Sequence, residues 1–314
     1  MKLLSIVFSF RNEAENLGEL IKRVHDSLKN LDNWKYELLF VNDDSTDTSL
    51  EILLKLQKKY PIKIINMSRK FGIFPCLLAG FRHAKGDCVV SMDSDLQDPP
   101  EIIPKMIQEF LNGNEVVHTI REKRLGEPFI KLFLTKIAYK IINKLSEVNL
   151  PIEAGDFKLI SRKALKNILD QKEYRPYVRG LSVWIGYKQS FIKYVRDPRF
   201  AGKAKFSVFS EATIFEFING ITSYSLKPLY VGIFLGFFSL IFSFLLIIYA
   251  LYTKFSGIGA PGSTGIIVTV SFFAGTILLT LGIVGIYIAR IFEQVKGRAQ
   301  YIIKDIINTN GQQD

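Results

Sequence analysis

Residues 87–100 read DCVVSMDSDLQDPP: a strand-length apolar run that breaks at Asp93 into a turn with a second carboxylate, Asp95, and then a proline pair. The run lacks the alternation of a half-exposed strand, so it reads as a strand covered on both faces. Proline has no place inside a central strand but fits the first turn of a helix, so the strand ends at the aspartates and a helix follows. In a parallel α/β sheet the carboxyl end of a strand is where ligands bind. Two carboxylates two residues apart on such a turn can face one hard cation, with Gln97 adding a carbonyl oxygen. Oxygen-only ligation of this kind suits Mg²⁺ or Mn²⁺. Asp-x-Asp also occurs in ordinary surface turns, so the position at the strand end carries the reading.

Upstream, LLSIVFSF (3–10), YELLFVND (36–43) and IKIINMS (62–68) repeat the strand-like composition. Helix-like segments lie between them, at about 13–31, 47–60 and 74–84, with Pro75 near the start of the third, where a missing N–H costs little. This alternation predicts a mostly parallel sheet flanked by helices, a Rossmann-like α/β class. The first ten residues, MKLLSIVFSF, are too short an apolar run for a signal peptide and lead straight into charged RNEAEN, so they read as the first strand. FVNDDSTD (40–47) ends the second strand with Asp43 and Asp44 toward the same crevice. A carboxylate there either accepts from a nucleobase or ribose, or caps the next helix. SFRNEAEN (9–16) opens a helix beside it.

Downstream, 127–146 and 161–171 read as helices separated by a loop, LPIEAGDF (150–157), and KQSFIKYV (188–195) as a further strand. RDPRFAGKAKFS (196–207) is a basic, glycine-containing loop. Residues 207–226 carry aromatics on one side, and either lie along a membrane surface or pack on the soluble domain. Two uncharged runs follow, about 229–252 and 264–289, each long enough at 1.5 Å per residue to cross about 30 Å of hydrocarbon. The loop between them has one basic residue, Lys254, whereas Lys227, Arg290, Lys296, Arg298 and Lys304 lie outside. The positive-inside bias therefore predicts a two-helix transmembrane hairpin with both ends, and the catalytic domain, in the cytoplasm. The expected organisation is a catalytic domain over 1–206, a juxtamembrane segment over 207–228, the hairpin over 229–290 and a basic tail over 291–314. That tail is expected on anionic headgroups or as a solvated extension.

The chain has 314 residues, 48% hydrophobic, and a formal net charge of +11. Its two cysteines, Cys76 and Cys88, and its histidines, His25, His83 and His118, have no ligand spacing, which argues against zinc and for reduced structural thiols. Glycines 232, 236, 275, 282 and 285 would let membrane helices pack closely, consistent with a homo-oligomer.

The ordered set Arg11–Asn12–Glu13, FVNDDSTD, SRKFG (68–72), MDSDLQDPP, AGDF (154–157), RGLSVWIG (179–186) and RFAGKAKFS (199–207) resembles the family-2 glycosyltransferases of GT-A fold. Within them it is most similar to dolichyl-phosphate mannose synthase and the bacterial polyprenyl-phosphate glycosyltransferases, and the resemblance spans nearly the whole chain. It implies Asp43 as a contact to the nucleotide base, and Asp93, Asp95 and Gln97 as the metal and pyrophosphate site. It implies Arg121, Arg199 and Lys205 as phosphate contacts, and Asp156 as a base or as a group that orients the acceptor. Three positions depart from the family pattern: Asn42 stands for a usual aspartate, Asp44 for a usual glycine, and SRKFGIFP lacks the lysine after the glycine.

The activity so implied is transfer of a sugar from a UDP- or GDP-sugar, UDP-glucose first, to a polyprenyl phosphate such as undecaprenyl phosphate. It would proceed by inverting single displacement at the cytoplasmic membrane face, in service of O-antigen or other surface-glycan modification. Two anionic substrates account for a basic site without invoking nucleic acid. A processive polysaccharide synthase would carry a QxxRW-type motif, which is absent. A nucleotidyltransferase would carry a glycine-rich N-terminal loop, and a non-catalytic scaffold would have no reason to keep Asp93, Asp95, Asp156 and Arg199.

Overall fold

The computed structural model describes residues 1–124, 129–148, 151, 154–174, 176–198, 200–201, 211–257 and 262–308. The chain divides into two compact units. The first comprises Met1–Lys144, Val148–Gly220 and Ala299–Asp314; the second comprises Leu145–Glu147 and Ile221–Arg298.

The first unit is built on an eight-stranded mixed sheet: β1 (Lys2–Phe10), β2 (Trp34–Asn42), β3 (Ile62–Met67), β4 (Cys88–Asp93), β5 (Val116–Arg124), β6 (Ala154–Ser161), β7 (Gln189–Arg196) and β8 (Ile303–Ile307). Spatially the order is β7-β5-β6-β4-β1-β2-β3-β8. Strands β1 to β4 are mutually parallel, as are β5 and β7, while β6 runs antiparallel between β4 and β5 and β8 antiparallel to β3. Helices α1 (Ala14–Leu28), α2 (Ser49–Leu56), α3 (Ile73–His83), α4 (Ile103–Leu111), α5 (Phe129–Leu145), α6 (Arg162–Leu169) and α7 (Val178–Trp184) accompany the sheet. The proline pair after β4 opens a short 3₁₀ turn, Pro100–Ile102, before α4.

The core explains why these segments order. Leu17, Leu20, Ile21 and Val24 recur at helical spacing along α1 and are fully buried with Ile6, Phe8, Phe40 and Val90 of the strands. Phe8 and Phe40 stack with ring centroids 4.6 Å apart. Both cysteines are buried free thiols, and burial first of all pushes Cys88 up to about 12. Neither is poised as a nucleophile.

Two expectations need correction. AGDF is not in a loop: Ala154–Ser161 is the buried strand β6, every residue of it covered. Lys158 interrupts its apolar run, and its antiparallel direction gave no strand–helix–strand signal. The tail is not a solvated or headgroup-bound extension at 303–307, because these residues form β8 and complete the β3 edge of the sheet. Ile303, Ile306 and Ile307 supply apolar contact, and the strand covers backbone groups that β3 would otherwise expose.

In the second unit α9 (Lys227–Phe255) and α10 (Gly262–Val295) contain two spans, Lys227–Thr253 and Val268–Val295, long and apolar enough to cross a membrane. Their large side chains point outward: Phe234 is 73% and Leu278 69% exposed. Side chains of that kind are usually buried in a soluble helical pair. Helix α8 (Glu211–Ser223) precedes them. Its Asn219 and Gly220 belong to the first unit and are buried there, Gly220 against Ile142 and Tyr177 of that same unit.

Candidate active site

Parallel pairing fixes which acidic residues share an edge. Ser9 lies opposite Asp93 and Phe10 opposite Asn42, so the turns after β1, β2 and β4 leave from one side of the sheet. On antiparallel β6, Lys158 pairs with Ser91, which brings Asp156, two residues earlier, level with Asp93. Four carboxylates meet electrostatically here. Burial above all, then the charges of Asp98, Asp95 and Asp156, push the Asp93 carboxyl up to about 7, with Arg121 opposing.

The Asp93–Asp98 turn is tightly drawn. Leu96 is buried with φ +61°, a conformation that branched side chains seldom adopt and that costs about 1–2 kcal/mol. Such stored strain is found where surroundings over-determine a functional turn. The Gln97 N–H donates to Asp95 Oδ1 at 3.2 Å, while its side-chain Nε2 donates to the Asp197 carbonyl at 3.4 Å. Gln97 thus ties the turn to the segment after β7.

Asp98, not singled out from sequence, organises the cationic side of the site. Its side chain is fully buried; Tyr194 Oη donates to Oδ1, and Arg121 and Arg196 approach the same oxygen at 3.8 and 3.9 Å. Arg121 Nε donates to Tyr194 Oη at 3.1 Å. The guanidinium lies over the backbone of Gly155, where a Cβ would stand 2.6 Å from Arg121 Nη2. The glycine of AGDF is therefore a matter of close approach.

Asp156 is held by a fork. Arg179 Nε donates to Oδ1 at 2.9 Å and Nη2 to Oδ2 at 2.5 Å. Burial alone would raise this carboxyl, but the charge and hydrogen bonds of Arg179, helped by Lys158 and Arg121, hold it well below the usual carboxylate range. Lys158, itself buried on β6, donates to Ser182 Oγ at 3.3 Å, and burial lowers it to about 8 against the pull of Asp156. Arg179 opens the RGL segment, whereas Lys158 lies one residue beyond AGDF and had no motif to mark it. What the sequence does not display is that α7 folds back onto β6.

Asp43 is buried after β2 and accepts from the N–H groups of Phe71 and Gly72 at 2.6 and 3.0 Å. It thereby fixes the SRKFG turn, where Gly72 has φ +98°, at the start of α3. Asp44 takes the family's glycine position at φ +57°, a region aspartate tolerates better than most residues. The sheet thus brings Asp43, Asp93, Asp95, Gln97, Arg121 and Asp156 to one edge. Arg199 and Lys205 lie outside the described residues.

Residues 5–169, more than half of the chain, match the profile of Glycosyl transferase family 2. The chain belongs to that family. An uncharacterized glycosyltransferase of Synechocystis sp. is 38% identical over 309 residues, covering 96% of this chain and 95% of the other. A prophage-derived bactoprenol glucosyl transferase of Shigella flexneri is 34% identical over 303 residues, covering 96% and 97%. The crystal structure of glucosyl-3-phosphoglycerate synthase from Mycobacterium tuberculosis, in complex with Mn²⁺, UDP and phosphoglyceric acid, is similar at TM-score 0.50 and 17% identity over 70% of this chain and 78% of that one. This last likeness is one of fold, and it agrees with the GT-A expectation.

The residues present fit a divalent cation. Among those described, no group of three or more His, Cys, Asp or Glu side chains forms a complete protein cage. Mg²⁺, however, is commonly held by one or two carboxylates plus substrate phosphates. The raised Asp93 and the buried Asp98 Oδ2, which has no hydrogen-bond partner among the described residues, mark negative charge that such a cation would offset.

Proposed function

We propose that this family-2 enzyme transfers glucose from UDP-glucose to a polyprenyl phosphate, undecaprenyl phosphate in a bacterium, at the cytoplasmic face of a membrane. The observation that carries the acceptor is the similarity to the Shigella flexneri bactoprenol glucosyl transferase across 96% of this chain and 97% of the other. The observation that supports nucleotide-sugar chemistry is the gathering of carboxylates and arginines at the carboxyl edge of the sheet.

Asp93 and Asp95, with Gln97, would hold Mg²⁺ or Mn²⁺; when bound, the cation offsets charge building on the departing nucleoside diphosphate. Arg121, fixed by Asp98 and Tyr194, presents a cationic fork toward phosphate oxygens. Arg199 and Lys205 are proposed to join it. Asp43 would contact the base beside the SRKFG turn it already organises. The nucleophile needs no strong base, since a phosphate monoester loses its second proton at about pH 6. Asp156, kept ionised by Arg179, is assigned to orienting acceptor or sugar rather than to taking a proton. Displacement from the face opposite the leaving group inverts the anomeric carbon.

The proposed arrangement is a catalytic domain over 1–206 joined through 207–228 to a hairpin with both ends cytoplasmic, with β8 returning to the catalytic sheet. Tethering at the interface raises the effective concentration of a lipid acceptor. Membranes containing the protein, given undecaprenyl phosphate, Mg²⁺ or Mn²⁺ and labelled UDP- and GDP-sugars, should move label from UDP-glucose into the organic phase, and EDTA should stop it. Absence of label from every donor, with folded protein, would overturn the proposal.

A further inference from the structure

A line of polar groups crosses one edge of the sheet from its last strand to the loop after β2. Asn66 on β3 donates from Nδ2 to Asp305 Oδ1 of β8 at 2.6 Å. Asn42 at the end of β2 donates from Nδ2 to Asn66 Oδ1 at 3.0 Å. The Ser45 N–H in turn donates to Asn42 Oδ1 at 3.0 Å, and Ser45 Oγ accepts from the Asn12 N–H at 3.1 Å. Asn42 and Asn66 are buried. The two ends of the line dictate the order of donors and acceptors along it. An ionised Asp305 only accepts and a backbone N–H only donates, so each intervening asparagine has one orientation available.

The last strand is held in place for this contact. The Ser68 N–H donates to the Ile302 carbonyl at 3.0 Å, and Gln57 Nε2 donates to the carbonyls of Ile307 and Asn308 at 3.3 and 3.0 Å.

We propose that Asp305 is a positioning residue for the donor-binding loop 43–47, acting through Asn66 and Asn42. Resting on the assignment of that loop to the nucleotide, this also accounts for the asparagine where the family usually has aspartate. An aspartate at 42 would accept from Ser45 N–H, yet place its other oxygen against Asn66 Oδ1. Turning the Asn66 amide to relieve this would set its oxygen against Asp305. Two carboxylates cannot both be served by one amide in this geometry, so Asn42 and Asp305 are a matched pair. The reverse pairing, aspartate at 42 with asparagine at 305, is equally consistent, with every bond reversed as far as residue 42.

The test is a four-member set in the full-length, detergent-solubilised protein: Asp305→Ala, Asp305→Asn, Asn42→Asp and the double variant Asn42→Asp/Asp305→Asn. The first readout needs no substrate: backbone amide exchange of the peptide spanning 42–47. Asp305→Ala and Asn42→Asp should speed that exchange by about three- to tenfold, the range one hydrogen bond commands. Asp305→Asn keeps an acceptor for Asn66 and should stay near wild type, and the double variant should recover. The second readout is transfer kinetics, where KM for the UDP-sugar should rise by a similar factor in the two disrupted variants while kcat and the KM for lipid acceptor hold. Recovery in the double variant, beyond the sum of its parts, distinguishes positioning from general loss of structure. Unchanged exchange in both disrupted variants, or a double variant worse than Asn42→Asp alone, would overturn the proposal. Exchange that responds as expected while donor KM does not would sustain the coupling and sink the assignment of loop 43–47 to the donor.

Discussion

Asp156 and Arg179 meet as a two-pronged pair, 2.9 and 2.5 Å across its two hydrogen bonds, on a strand and a helix 23 residues apart in sequence. A carboxylate so held has given up its affinity for protons. It is a poor general base and a good fixed anion.

Replacing Asp156 by asparagine therefore tests its role. General base catalysis contributes about 10²–10⁴-fold, and its loss would remove a limb of the pH profile. Here kcat should fall by less than about 10²-fold, and the acid limb, set by an acceptor phosphate of pKa about 6, should keep its shape. Measuring kcat against pH for both proteins decides it: disappearance of that limb in Asp156→Asn would restore the base assignment.

Metal dependence should run through the turn after β4. Asp95→Ala should abolish turnover that Mg²⁺ or Mn²⁺ supports, and weaken Mn²⁺ binding followed by its paramagnetic signal in the presence of UDP. Full activity in this variant would sink the assignment of Asp93, Asp95 and Gln97.

His118 should make the catalytic unit acid-sensitive. Burial, with Lys158 adding to it, lowers this imidazole from 6.5 to about 3. The neutral ring stacks on Phe191 and meets Gln189 Oε1 at 3.0 Å. Below pH 6.5 the unfolded chain takes up a proton that the folded one refuses until about pH 3. The stability this contributes is whole above 6.5 and falls with decreasing pH at about 1.4 kcal/mol per pH unit. His118→Asn should flatten that slope. The fluorescence of Trp34 and Trp184, the only tryptophans, reports unfolding of this unit in detergent. A slope unchanged in the variant would assign the acid sensitivity elsewhere.

Asp44 is exposed at φ +57°. Asp44→Gly should leave stability within about 1 kcal/mol, since glycine's ease at positive φ is offset by its greater freedom when unfolded. Asp44→Val should lose about 1–2 kcal/mol, because a branched side chain is strained there. Urea midpoints compare the pair; equal stability would mean that the turn relaxes.

The parallel half of the sheet was legible because each strand there is a short apolar run followed by a helix, and because Asp43, Asp93 and Asp95 stand where those runs break. The two long apolar helices were legible for a simpler reason: each contains an unbroken run without charge. What stayed hidden depends on residues far apart in sequence. Lys158 makes β6 look like a loop until Asp156 and Ser182 are seen beside it. Asp98 reads as part of a proline turn, and only the arrival of Tyr194, Arg121 and Arg196 from β5 and β7 reveals it as the anchor of the cationic side. Five residues of β8 carry no signal of their own, and their partner strand lies more than 230 positions away.

That last strand orders events in the making of the protein. A ribosome releases β3 long before it releases Ile303–Ile307, and both apolar helices emerge in between. The open side of β3 must wait, its backbone groups unpaired, until the helices have been made. Completion of the catalytic sheet is thus written into the chain as a step of biogenesis that comes after synthesis of both apolar helices.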